Sequence, residues 1–184
     1  MKKMLVVALM LLAGGRVGNA QTFRGLDKST MDVAYCPDNF AHDRKLDDKA
    51  LVKVTYTRPA KKEREIIGKL VPFGQLWRVG ANEATEVKLY QDVTIMGKRV
   101  KAGTYTLYMT PTETEWTIVL NKQLDVWGTA FYDAKNDVLS VKVAPKRLDT
   151  VVENLSIQFT KVENKQSTMQ LAWENTLVEL PISF

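Results

Sequence analysis

Only one cysteine and one histidine occur among the 184 residues, Cys36 and His42. A lone cysteine cannot close an internal disulfide, so the fold must hold without a covalent staple. The same scarcity excludes zinc sites built from several His and Cys ligands. It also argues against a cysteine nucleophile with a histidine base, because His42 stands in a polar stretch with no nucleophile signature around it. Cys36 reads as a semi-buried small residue and His42 as a surface one. Asp133 and Asp137 lack the ligand density of a calcium loop and read as a turn, so no metal and no cofactor is expected. Long apolar runs are equally scarce. The run from Met4 to Ala13 is too short to cross a bilayer, and no later segment supplies a membrane span. Helical periodicity is missing too: no stretch of about ten residues beyond position 20 sustains it with caps, which argues against βαβ units and a parallel sheet.

What is present begins with an address. Lys2 and Lys3, the apolar run and the small residues Gly18-Asn19-Ala20 have the layout of a cleavable signal peptide over residues 1–20, cut before Gln21. Position 15 is Gly15 where a lipid-anchored variant would need a cysteine, so the expected product is exported, soluble and not acylated, in the periplasm or outside the cell. The whole chain has a net charge of +5; without Lys2, Lys3 and Arg16 the balance is 23 basic against 21 acidic residues, or +2. The dense basic run, Lys61-Lys62-Glu63-Arg64-Glu65, is broken by acids and reads as a solvated turn. No nucleic-acid partner is expected.

From Leu51 onward apolar residues recur at period two: Val52/Val54/Tyr56, Val87/Leu89, Tyr105/Leu107/Met109, Trp116/Ile118/Leu120, Leu139/Val141/Val143, Leu155/Ile157/Phe159, Met169/Leu171/Trp173 and Val178/Leu180/Ile182. Short links with turn chemistry join them, at Met96-Gly97-Lys98-Arg99, Lys101-Ala102-Gly103, Pro111 to Glu115 and Glu163-Asn164-Lys165. The expectation is an all-β, antiparallel β-sandwich of about nine strands in a single domain over residues 21–184, with a small barrel as the alternative. Trp116 and Trp173 are in phase with the core. Trp127 lies in a connection and could face either way.

Arg58 to Ala84 is the exception. It holds Pro59, Gly68, Pro72, Gly74 and Gly80 and does not alternate, yet Ile66, Ile67, Leu70, Val71, Phe73, Leu76 and Trp77 give it enough apolar surface to bind the sandwich. It is expected to be an ordered cap.

Thr55-Tyr56-Thr57-Arg58-Pro59, Gly68-Lys69-Leu70-Val71-Pro72-Phe73-Gly74-Gln75-Leu76-Trp77-Arg78, Gly80-Ala81-Asn82-Glu83-Ala84-Thr85, Lys101-Ala102-Gly103-Thr104-Tyr105 and Trp127-Gly128 resemble an uncharacterised bacterial family, domain of unknown function 2911. The resemblance covers nearly all of the chain beyond the signal, and implies an exported, β-rich protein with no established activity.

The candidate ligand-binding residues are Arg58, Arg64, Trp77, Arg78, Asn82, Glu83 and Thr85. Guanidinium groups grip carboxylates or phosphates, Asn and Glu bond hydroxyls or amides, and an indole stacks on an apolar ligand face. The competing reading makes them struts that satisfy the cap's backbone, with Glu83 paired to Arg78 or Arg58 and Trp77 plugging the core. Three functions stay open. The preferred one is a non-catalytic binding module for a small polar or anionic ligand (glycan fragment, peptide or metabolite) or a protein partner. The second is a hydrolase or isomerase using Glu83 as general acid or base, with Arg58 or Arg78 stabilising an anion. The third is a purely structural or interaction domain.

Overall fold

A strand that alternates apolar and polar residues must lay its apolar face against a second such face. The computed structural model, which describes residue 23 and residues 25–184, meets that demand with two antiparallel sheets packed as an open sandwich; the proposed signal segment lies outside the described residues. The strands are β1 (Met31–Cys36), β2 (Val52–Thr57), β3 (Glu86–Leu89), β4 (Val93–Ile95), β5 (Lys98–Val100), β6 (Gly103–Pro111), β7 (Trp116–Asn121), β8 (Asp137–Val143), β9 (Lys146–Phe159) and β10 (Gln166–Ser183). One short helix, α1 (Phe40–Asp43), and a single 3-10 turn at Ala134–Asn136 accompany them among the described residues. None of the described helices is long and apolar enough to cross a membrane.

The six-stranded sheet has the order β1-β2-β3-β6-β7-β8 and the four-stranded sheet β5-β4-β10-β9. Val52, Val54, Leu107, Met109, Ile118, Leu120 and Leu139 from the first meet Ile95, Leu155, Ile157, Leu171, Trp173 and Leu180 from the second in one continuous core. The barrel alternative is not realised, because neither sheet closes on itself. Two hairpins turn on pairs of residues with positive φ, Met96–Gly97 (47° and 78°) and Asn164–Lys165 (50° and 60°). Those dihedrals belong to the primed turns whose twist matches paired strands.

Ten strands appear against the nine expected. β1, β4 and β5 lie outside the eight period-two runs, and β1 pairs with β2 along its whole length, from Met31↔Thr57 to Cys36↔Val52. The two strands read at residues 169–173 and 178–182 are one, β10, interrupted by bulges on either side of Glu174. Cys36 is fully buried rather than semi-buried. Burial raises its thiol pKa, and a hydrogen bond with Ser167 only partly opposes that.

Candidate functional site

The stretch between β2 and β3 is ordered and fastened to both sheets. Against the six-stranded sheet, Trp77 forms a two-way backbone bridge with Met109 (2.7 and 3.0 Å), and the Gly74 N–H donates to the Pro111 carbonyl (2.8 Å). Against the four-stranded sheet, the Lys61 N–H donates to the Glu153 carbonyl (2.6 Å) and the Leu155 N–H to the Pro59 carbonyl (3.1 Å). Ile66, Val71, Trp77 and Val79 sink into the core, whereas Leu70 and Phe73, expected to help bind the cap, stay exposed. Glu174 completes the attachment. Its left-handed backbone (φ 55°) at the β10 bulge accompanies a carboxylate that accepts the Ile66 and Ile67 N–H groups at 3.3 and 3.2 Å. Sequence reading passed over Glu174, since a bulge inside a strand has no composition signal of its own.

The seven candidate residues do not form one cluster. Arg58 spends its guanidinium on the frame: Nε donates to the Leu155 carbonyl (3.0 Å), Nη1 to Asp32 (2.8 Å) and Nη2 to Ser156 (2.8 Å). Its acidic partner is thus Asp32, not Glu83. Arg64 is exposed and folds back on the carbonyls of Lys61 (3.1 Å) and Ala60 (2.5 Å). Trp77 is a core plug, stacked on Trp173 (centroids 6.0 Å, 19°) and edge-on to Trp116 (6.3 Å, 80°).

The remaining four share one tight excursion, Arg78 to Thr85. Thr57 Oγ1 accepts from the Ala81 N–H (2.6 Å) and donates to the Ala81 carbonyl (2.7 Å). Thr85 Oγ1 donates to the Val79 carbonyl (2.7 Å), and the Trp77 indole N–H to the Gly80 carbonyl (3.3 Å). From the other side, the Gly128 N–H donates to the Asn82 carbonyl (3.1 Å) and the Ala84 N–H to the Val126 carbonyl (3.0 Å). This scaffold holds two non-glycine residues in left-handed conformation, Asn82 (φ 59°) and the β-branched Val79 (φ 59°). For a valine that geometry is a genuine outlier, costing roughly 1–3 kcal/mol, and such strain persists where surrounding contacts over-determine it.

Thr85 and Trp77 are therefore struts, while the side chains of Arg78, Asn82 and Glu83 form no hydrogen bond or ion pair among the described residues. Arg78 Nε is buried without a partner, and burial alone lowers the guanidinium pKa. Glu83 is exposed and bridges backbone to backbone with Trp127, whose indole is 61% exposed. Glu83 also lines a depression of about 240 Å³ with Met31, Thr55, Glu86 and Asp125.

Trp127 is held by the β7–β8 connection. Asn121 Nδ2 donates to the Asp133 carbonyl (3.0 Å) and to Asp137 (2.7 Å), and the Tyr132 hydroxyl donates to the other Asp137 oxygen (2.7 Å). Asp137 thus anchors the loop. Burial first, and the hydrogen bond to Asp137 second, push the Tyr132 pKa up from 10.0 to about 12. A raised phenol pKa means that the neutral form is favoured by folding. Its stabilisation is complete below pH about 10 and is lost as pH rises towards about 12. Alkaline absorbance titration should show a late tyrosinate step that Tyr132→Phe removes.

No curated protein and no solved structure matches the chain. The family model described as protein of unknown function, DUF2911, matches residues 38–182, and the chain belongs to that family.

Proposed function

We propose that this is a non-catalytic binding module that takes a hydroxyl-rich ligand, such as a glycan fragment, on the surface formed by Asn82, Glu83 and Trp127. One observation carries the reading. A strained loop, tied down through its backbone and through Thr57, Trp77 and Thr85, leaves the side chains of Asn82 and Glu83 without hydrogen bonds among the described residues, and its backbone is bridged at Glu83 to Trp127, whose side chain is exposed. A rigid aromatic face with nearby amide and carboxylate groups suits a sugar ring, whose faces are apolar and whose rim is hydroxyls. Preorganisation lowers the ordering cost of binding. The hydrolase or isomerase reading gains no comparable support, since Glu83 has no arginine partner among the described residues. The signal layout of residues 1–20 supports export, which intact-mass measurement of the cellular product would check through loss of those residues.

The test is titration with soluble oligosaccharides of glucose, galactose, N-acetylglucosamine and uronic acid, followed by tryptophan fluorescence and calorimetry. Trp127→Ala should weaken binding by roughly 10–100-fold, as loss of a central aromatic anchor does. It should leave the melting temperature nearly unchanged, because the indole is already exposed. Glu83→Gln should weaken binding less. No saturable response from any sugar, or equal affinity in Trp127→Ala, would refute the assignment.

A further inference from the structure

A larger cavity, about 700 Å³, opens on another part of the molecule, where the cap's Glu65–Phe73 stretch faces the β6–β7 loop and the β10 bulge. Two costs converge on it. Trp116 lines the cavity and is 1% exposed, yet its indole N–H is buried with no acceptor. The other two indoles of the trio are satisfied, Trp77 by the Gly80 carbonyl and Trp173 by the Glu153 carbonyl. A buried donor left unpaired is unusual in a native fold. The second cost is the left-handed Glu174, which also lines the cavity.

The charges there divide into committed and free. Lys146 is paired with Glu179, and Glu174 is engaged by the Ile66 and Ile67 amides and by Lys61. Lys69 and Arg147, and opposite in sign Glu65 and Glu113, line the cavity without an ion pair or side-chain hydrogen bond among the described residues. A simple anion would meet the two cations and be repelled by the two acids, and a simple cation would meet the reverse. A neutral sugar would use neither pair. A ligand carrying both charges is matched by both.

We propose that this cavity binds a short peptide through its two charged ends. Lys69 and Arg147 hold the carboxylate, and Glu65 and Glu113 hold the ammonium. Phe73, 41% exposed, covers the apolar part. None of these residues belongs to the Asn82–Glu83–Trp127 surface, so this site and the proposed saccharide surface stand or fall separately.

The probe is trialanine with free termini, compared with its N-acetylated and its C-amidated forms and followed by tryptophan fluorescence and calorimetry on the full protein. Saturable binding of the free peptide is expected, weakened roughly five- to tenfold by capping either end, the range that two part-exposed charge contacts supply. Arg147→Gln should reduce the penalty for amidation, with Lys69 still in place, and Glu113→Gln should reduce the penalty for acetylation, with Glu65 still in place. Both side chains are exposed, so folding is preserved. Trp127→Ala should bind trialanine as the wild type does. Equal affinity for the free and both singly capped peptides, absence of binding up to about 10 mM, or loss of binding in Trp127→Ala would overturn the proposal.

Discussion

Trp77→Ala should lower the stability of the protein by about 3–5 kcal/mol, the range seen when a large buried aromatic is truncated. The side chain is 7% exposed, lies between Trp173 and Trp116, and sends its N–H to the Gly80 carbonyl. Truncation therefore opens a void where the two sheets and the cap meet, and frees the carbonyl that helps fix the strained Val79–Asn82 turn. Because a domain of this size is stable by only about 5–15 kcal/mol, the loss is a large share of the total. Denaturant unfolding followed by far-UV dichroism measures it. The same variant should become sensitive to protease between residues 58 and 76, since the bridge to Met109 loses the side chain that seats it. A loss below about 1 kcal/mol would mean that the cap is held by its backbone bonds alone.

The sandwich was legible because its inner strands keep a strict two-residue period. Val52, Val54, Ile118, Leu120, Leu155 and Ile157 all point where their phase places them. β1 was not, because only Ala34 and Cys36 of its six residues are buried and its outer residues are mixed in character. That omission had a consequence for the site. Asp32 lies on β1, so Arg58 shows no nearby acid in the sequence, and the strut reading offers Glu83 to either Arg78 or Arg58. The register Asp32↔Tyr56 brings Asp32 into reach of the end of β2, and sequence distance conceals this. β9 shows a related limit: its first half, from Lys146 to Asn154, faces mostly solvent and has no apolar phase to detect. The cap's order was readable from its apolar content, but which of its polar groups bind backbone and which remain free was not. That depends on contacts such as Thr57 to Ala81 and Asn82 to Gly128, set by the path of the chain after it leaves the strands.

Thr57→Val separates holding the loop from touching a ligand. The hydroxyl is the only group of Thr57 that the substitution removes, and it serves both the N–H and the carbonyl of Ala81. Losing a partner costs about 1–3 kcal/mol per fully buried backbone group. Ala81 is only partly buried, so a total near 2 kcal/mol is expected. Gly80 makes the contact specific, because a Cβ there would lie 2.7 Å from Thr57 Oγ1, closer than real Cβ atoms approach, and only glycine lets the loop come this near to β2. Without the hydroxyl clamp, Val79 and Asn82 can relax from their left-handed conformations. Asn82 and Glu83 then lose their fixed position beside Trp127, and saccharide affinity should fall although no ligand-facing atom has changed. Thr57→Ser keeps the hydroxyl and should recover most of both losses, by calorimetry for binding and by thermal melting for stability. If Thr57→Val lowered the melting temperature and left affinity intact, the loop's shape would have no part in recognition, and the Trp127 indole would have to act alone.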